Sequence, residues 1–188
     1  MLINDSHKLK DIFELVQEEM KRAVNDKKHP FRYLIFSSLG AKVRSRYVVL
    51  RSYQSDNSFV VYTDSRSSKV EEIRQNPEVH LLFYNSRKQV QVLVEGICDT
   101  ENNPAIRQSL WLKVQGNAQK SYNTTLPPGA VITTPETGHQ VKAEMDDEYF
   151  EVLNIQPVKI EVLQLNRSKH LRASFYKENN WEGSWLVP

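Results

Sequence analysis

Four runs of β-branched and aromatic residues follow one another within residues 31–84, and few folds accommodate such a series. The runs span residues 31–39, 43–53, 59–64 and 79–84, and each has the composition of a strand. Gly40 separates the first two runs, and Asp56-Asn57-Ser58 separates the second and third. Both separators are turn formers, so the pattern predicts a meander of antiparallel hairpins.

A fifth run at 89–97 alternates polar and apolar side chains, beginning with Gln89, Val90 and Gln91. Such alternation is typical of a strand with one buried face. Shorter closing strands are predicted at 159–165, 174–177 and 185–187. Together these strands favour a closed barrel over an open flat sheet.

Helices are predicted on both sides of the strands. The first spans 5–28, within the N-terminal segment 1–30, where Leu9, Ile12 and Val16 begin an apolar stripe that Asp5 or Ser6 would cap. A second helix is predicted over 67–76, because Ser68 and Glu71 have capping-box spacing. Further helices are predicted over 103–114 and 146–153. The fold class is therefore mainly β (α+β) with flanking helices.

One long segment, residues 122–143, interrupts this order of elements. It is polar and contains three prolines and two glycines. An ordinary connection is shorter than this. We therefore expect a lid, an interface arm or a mobile loop.

Length and charge exclude several classes of protein. The chain has 188 residues, 39% hydrophobic and 26% charged, which predicts one folded domain over residues 1–188. Lys and Arg number 25 against 23 Asp and Glu, so nothing predicts a nucleic-acid or membrane partner. No apolar run approaches the roughly 18 residues of a membrane span. A single cysteine, Cys98, cannot form an internal disulfide, and a cytoplasmic location is expected.

Basic residues nevertheless concentrate in residues 31–76, which hold eight Lys and Arg against four Asp and Glu. Arg46 and Lys69 each follow a serine. Such groups suit a phosphate, although they also suit a solvated strand face with unrelated charges. Arg46 and Arg51 are an odd number of residues apart, so a regular strand would point them to opposite faces. One ligand could use both only through a bulge, a strand end or a second subunit.

Motifs for other chemistries are missing from the sequence. The five histidines lack HExxH or HxH spacing, so no metal is predicted. Neither a GxGxxG nor a P-loop motif is present, and Cys98 is interpreted as a buried thiol.

An ordered set of segments resembles the pyridoxamine 5′-phosphate oxidase family. Residues 45–51 (SRYVVLR) resemble its R-x-V-x-L-K/R strand, and residues 59–63 (FVVYT) resemble its F-x-x-Y-T strand. Ser67-Ser68-Lys69 occupies the position of its S-R-K step. Asn76-Pro77, residues 91–96 (QVLVEG) and the ending from Trp181 to Pro188 follow in the family's order.

The resemblance implies a homodimeric, antiparallel split β-barrel that binds FMN at the subunit interface and acts on a small-molecule substrate. The cofactor-binding residues that it implies are Arg46, Tyr47, Val48, Val49, Leu50, Arg51, Tyr62, Thr63, Ser68, Lys69 and Gln91. The substrate-binding residues that it implies are Lys113, His170 and Arg172. No catalytic residue is assigned.

Three departures from the family's pattern leave the reaction open. Ser68 stands where the S-R-K step has its arginine, and Ser174 stands where the family has an arginine before the C-terminal phenylalanine. The family's R-x-H order is inverted in His170-Leu171-Arg172. One hypothesis is therefore an FMN-dependent oxidase acting on an amine such as pyridoxamine phosphate. The alternative is a non-oxidase flavin-binding protein or flavin reductase of the same fold. A nucleic-acid-binding module is a third hypothesis, but the sequence has no interleaved stacking motif.

Overall fold

Strands dominate the computed structural model of the protein, which describes residues 1–167 and 169–188. The strands of this part of the chain are β1 (Tyr33–Leu39), β2 (Val43–Val49), β3 (Ser52–Tyr53), β4 (Phe59–Asp64), β5 (Glu78–Asn85), β6 (Val90–Thr100), β7 (Phe150–Gln164), β8 (Leu171–Tyr176) and β9 (Gly183–Leu186). Its α-helices are α1 (Leu9–Asn25), α2 (Ser68–Gln75), α3 (Pro104–Trp111) and α4 (Asn117–Lys120). None of the helices within it is long and apolar enough to cross a membrane.

The strands form one antiparallel sheet in the order β2-β1-β5-β6-β7-β4-β3. Strands β2 and β3 stand at opposite ends of this order, yet only Leu50 and Arg51 join them along the chain. The sheet therefore curls back on itself, as a barrel does. The predicted antiparallel split barrel with flanking helices is confirmed.

Strand β7 divides the barrel because it changes partners along its length. Residues Phe150 to Ile155 pair with β4, and Lys159 to Gln164 pair with β8. Pro157 lies between the two halves, opposite an irregularity at Glu95/Gly96 of β6. The β8–β9 pair thereby extends the sheet beyond the closed part.

The predicted hairpin at Asp56-Asn57-Ser58 is confirmed, since β3 pairs with β4 across it. The meander is wrong within the second run and between the third and fourth runs. The run at 43–53 breaks at Leu50 and Arg51, whose N–H groups donate to the carbonyls of Arg32 (2.9 Å) and Val60 (2.9 Å). These bonds turn the chain from one end of the sheet to the other. As a result β1 pairs with β5, and β4 pairs with β7.

Several predicted boundaries also need correction. The first helix runs from Leu9 to Asn25, and Lys8 precedes it in place of Asp5 or Ser6. The Lys8 N–H donates to Asp11 Oδ2 (3.0 Å), so the first-turn carboxylate holds this end. Ser67, not Ser68, precedes α2. The helix predicted over 146–153 is wrong, because Phe150 already begins β7. The strand predicted at 159–165 is the end of β7, which stops one residue earlier, at Gln164.

Two clusters of buried side chains stabilise the fold. The larger fills the barrel and receives the apolar face of α1, with Phe36, Phe83 and Phe175 fully buried. The smaller lies against the outside of β4 and β7 and contains Val60, Trp111, Val114, Tyr122, Phe150 and Val152. Cys98 is buried in the larger cluster, where burial raises its pKa to about 12. Its interpretation as a buried thiol is confirmed.

The segment 122–143 is anchored at its base. The Asn123 side chain is fully buried and donates to the carbonyls of Gln119 (3.1 Å) and Asp146 (3.0 Å). Thr124 and Val141 then form a β-bridge. Beyond this base the segment holds a 3₁₀ turn, Pro135–His139, and exposed side chains such as Val131. A role as lid, arm or mobile loop stays a prediction.

A buried ionisable group ties α1 to the barrel and predicts acid sensitivity. His29 Nδ1 accepts from the Phe31 N–H (3.2 Å), and its Nε2 lies 3.4 Å from Glu19 Oε2. Burial lowers the pKa of His29, although the Glu19 charge opposes the shift. Below about pH 6.5 the unfolded chain therefore takes up a proton that the folded chain resists. Stability should fall as the pH drops below that value.

The variant His29→Gln tests this expectation. Its free energy of unfolding in urea should depend less on pH between 7.5 and 5.5 than that of the wild type. An identical pH dependence in the two proteins would show that His29 is not the responsible group.

Candidate functional site

Hydroxyl and ammonium groups converge where β4 ends and α2 begins. Lys69 Nζ donates to Thr63 Oγ1 (2.7 Å) and to Ser67 Oγ (3.1 Å), and the two hydroxyl oxygens lie 3.2 Å apart. Thr63 is the last residue but one of β4, and Ser67 immediately precedes α2. Because the Ser67 hydroxyl is used in this way, it makes no capping bond to its own helix. We call Arg46, Thr63, Ser67 and Lys69 the anion cradle.

Arg46 reaches the cradle from β2. It is in register with Phe36, on the inner face of the barrel, and its guanidinium lies over that ring (5.9 Å). Nη1 donates to Ser38 Oγ (2.5 Å) and Nη2 to Glu72 Oε2 (2.9 Å). The Nη1 of Arg44 lies 3.3 Å from the other oxygen of Glu72. Arg44, Arg46 and the nearby Lys69 carry three positive charges against the one carboxylate of Glu72, which gives these four residues a net charge of +2.

The charge state of the cradle indicates an anionic ligand. Burial, and then the charge of Arg46, lowers the pKa of Lys69. The pKa of Glu72 lies below its usual value, because the hydrogen bonds that Ser38 and Arg46 donate to the carboxylate outweigh the opposing effect of burial. No carboxylate within residues 1–167 and 169–188 forms an ion pair with Lys69. A phosphate would stabilise the lysine charge and also accept from the start of α2.

Arg51 lies apart from the cradle, at the break between β2 and β3. Its guanidinium stands over the ring of Tyr62 (5.4 Å). Burial raises the pKa of Tyr122, and the neighbouring charge of Arg51 opposes that shift. Because the strand breaks between Arg46 and Arg51, the alternation of side chains along a regular strand no longer determines which faces these two residues occupy. The structure nevertheless directs the two guanidinium groups to different clusters, that of Phe36 and that of Tyr62.

The outer sheet face carries a second group of predicted site residues. Gln91 is in register with Leu163, and Leu163 with Arg172, so these three side chains share one face. The neighbours of Gln91, Val90 and Val92, point into the core. Gln91 and Arg172 therefore lie on the opposite face of the sheet from Arg46.

Other predicted residues have the following positions. Tyr47 and Val49 lie on the outer sheet face, Val48 packs against the core and Leu50 is fully buried within it. Ser68 is exposed at the start of α2, and Lys113 is exposed after α3. His170 is exposed beside β8, where its Nδ1 accepts from the Asn166 N–H (3.1 Å). Leu50 could contact a ligand only through its backbone.

Sequence reasoning missed four residues that the structure brings to these places: Ser67, Glu72, Tyr122 and Glu161. Ser67 could have been found, since it occupies the serine position of the S-R-K step. Glu72 lies one helical turn beyond Lys69, but nothing local marks it as buried. Tyr122 is far from Arg51 in the sequence, and Glu161 meets Arg172 only across the pairing of β7 with β8. In the part of the chain that the structure describes, no group of three or more His, Cys, Asp or Glu could hold a metal ion.

Fold and site together define a split-barrel protein with a cradle suited to a phosphate group. Residues 13–102 match the family model described as pyridoxamine 5′-phosphate oxidase, FMN-binding domain. The resemblance found in the sequence is confirmed for this region. The region contains the whole cradle together with Arg51 and Gln91.

Curated relatives carry the same family name. A pyridoxine/pyridoxamine 5′-phosphate oxidase from Ehrlichia chaffeensis is 36% identical over 88 residues, which are 46% of this chain and 44% of that protein. One from Psychrobacter cryohalolentis is 25% identical over 149 residues, 76% of this chain and 62% of that protein. The chain thus spans less than two thirds of either relative.

Solved structures share the fold. A pyridoxamine 5′-phosphate oxidase-related, FMN binding protein from Nostoc punctiforme superimposes with a TM-score of 0.75, covering 100% of both chains at 18% identity. At that identity the likeness establishes the split barrel alone.

Proposed function

We propose that the protein is an FMN-dependent oxidoreductase that acts as a homodimer on a small amine. One observation carries this proposal: the anion cradle and the pair Gln91 and Arg172 lie on opposite faces of the sheet. A single flavin can meet both groups only if a second copy supplies one of them. The family resemblance assigns both groups to one flavin and its substrate.

The outer sheet face supports a dimer of this kind. One row across it holds residues that are in register from strand to strand: Tyr47, Ile35, Leu82, Leu93, Glu161 and Ser174. The first four are apolar or aromatic. Tyr47 is 73% exposed, and the other three are half-buried. Exposed apolar side chains in a contiguous patch are typical of an interaction surface. A second copy with a two-fold axis would cover this row with its own.

Each group of residues has a role in this proposal. Lys69, Arg46 and the two hydroxyls would hold the flavin phosphate. The Gln91 amide of the partner copy would bond the edge of the flavin ring. Arg172 and His170 would border the substrate, and the pairing of two sheet faces would exclude water. When bound, FMN supplies a two-electron acceptor.

The overall reaction balances with oxygen as the second substrate. The amine loses two electrons and two protons to become an imine, and O₂ takes up both pairs to form hydrogen peroxide. The protein's own part is to orient the two reactants and to hold the flavin.

Peroxide release tests the reaction. The FMN-loaded protein should release hydrogen peroxide when pyridoxamine 5′-phosphate is added in air, and anaerobic addition of the same amine should bleach the flavin absorbance. Bleaching by NADH without bleaching by amines would support the alternative, a flavin reductase. The presence of Ser174 where the family has an arginine favours that alternative. Retained FMN that neither donor reduces would contradict both.

A further inference from the structure

A buried carboxylate lies beneath the only arginine of β8. Arg172 Nε donates to Glu161 Oε1 (2.9 Å), and Nη2 lies 2.7 Å from the same oxygen. The Glu161 side chain is 6% exposed, whereas that of Arg172 is 37% exposed. The carboxylate is therefore a fixed support, and the guanidinium above it faces outward.

The charges around this pair cancel. The second oxygen of Glu161 lies 3.5 Å from Lys159 Nζ, which also donates to Glu95 Oε1 (2.8 Å). Two cations thus face two carboxylates. The anion cradle differs, because its two cations and the neighbouring Arg44 carry three positive charges against the one carboxylate of Glu72.

Charge cancellation changes what Arg172 can bind. A guanidinium has five N–H donors, and the bonds to Glu161 engage only Nε and Nη2. The donors that are left can still bond a ligand. The net charge that would attract an anion is offset by a carboxylate held at hydrogen-bond distance.

We propose that Glu161 determines specificity on the outer sheet face: it positions Arg172 as a hydrogen-bond donor and cancels its charge. The substrate group that meets Arg172 is then a neutral acceptor, such as a carbonyl, a hydroxyl or a ring nitrogen, and not an anion. This inference rests on the proposed function, in which Arg172 borders the substrate.

The variant Glu161→Gln tests the inference in the FMN-loaded protein, where the flavin phosphate occupies the cradle. Flavin absorbance changes would give the affinities for pyridoxamine and for pyridoxamine 5′-phosphate. Removal of the carboxylate charge should shift the ratio of the two affinities at least tenfold toward the phosphorylated ligand. The shift is expected whatever the ratio in the wild type, because only the charge beside Arg172 changes.

Two further variants separate specificity from structure. Glu95→Gln removes a carboxylate from the same face without touching Arg172, and its ratio should stay within about threefold of the wild type. Glu161→Asp keeps the charge, so any loss of packing should weaken the binding of both ligands by the same factor. The ratio of the two affinities should therefore be preserved.

The possible outcomes distinguish a failure of the proposed function from a failure of the proposed role of Glu161. A wild type that retains no FMN overturns the proposed function and this inference with it. An FMN-loaded protein in which Glu161→Gln and Glu95→Gln give the same ratio overturns the role of Glu161 alone. A changed ratio in Glu161→Asp would likewise show that shape, and not charge, determines the preference.

Discussion

Lys69→Met should weaken FMN binding about 100-fold, because it removes the one cradle cation that has no carboxylate partner among the described residues. Loss of one member of a desolvated charge pair costs about 2–5 kcal/mol, and 100-fold corresponds to about 2.7 kcal/mol. Fluorescence titration of the apo-protein with FMN would measure the change.

The same variant should leave riboflavin binding nearly unchanged, since riboflavin has no phosphate. It should also raise the melting temperature of the apo-protein, because burial and Arg46 disfavour the lysine charge there. Lys10→Met, on the exposed face of α1, is the matched control. Equal losses of FMN and riboflavin would show that Lys69 acts on the fold and not on the phosphate.

Leu82→Glu should dissociate the proposed homodimer. Leu82 lies between Ile35 and Leu93 at the centre of the apolar row. A carboxylate there would be buried against a second copy without a partner, which should weaken association at least about 100-fold. Sedimentation velocity over a range of protein concentrations would measure the dissociation.

FMN retention should fall together with dimerisation in this variant, although the cradle of each chain is untouched. The control is Val131→Glu, which places the same change on a fully exposed side chain of the segment 122–143. The circular dichroism spectra of the variants and the wild type should agree. A monomeric Leu82→Glu protein that retains FMN normally would contradict the placement of the flavin between two copies.

Local patterns in the sequence predicted the parts of the fold that depend on local physics. The alternation in β6 and the turn at Gly40 were sufficient for the strands and the first hairpin. The bonds of Leu50 and Arg51 to Arg32 and Val60 join residues that only the folded barrel brings together. For that reason the break in the second run, and with it the sheet order, could not be predicted.

The candidate site also contains some residues that the sequence predicted and others that it did not. Thr63 and Lys69 are six residues apart and follow the family's motif, so the resemblance found them. Glu161 supports Arg172 across two paired strands, and Tyr122 approaches Arg51 from a distant helix end. Neither contact leaves a trace in the sequence, because each depends on which segments of the chain the fold brings together.

Gel filtration of the protein with FMN tests the central claim most directly. We expect a yellow protein that elutes as a dimer, with flavin absorption bands and one FMN per chain. A colourless protein that cannot be reconstituted with FMN, or a monomer that carries the flavin alone, would contradict it.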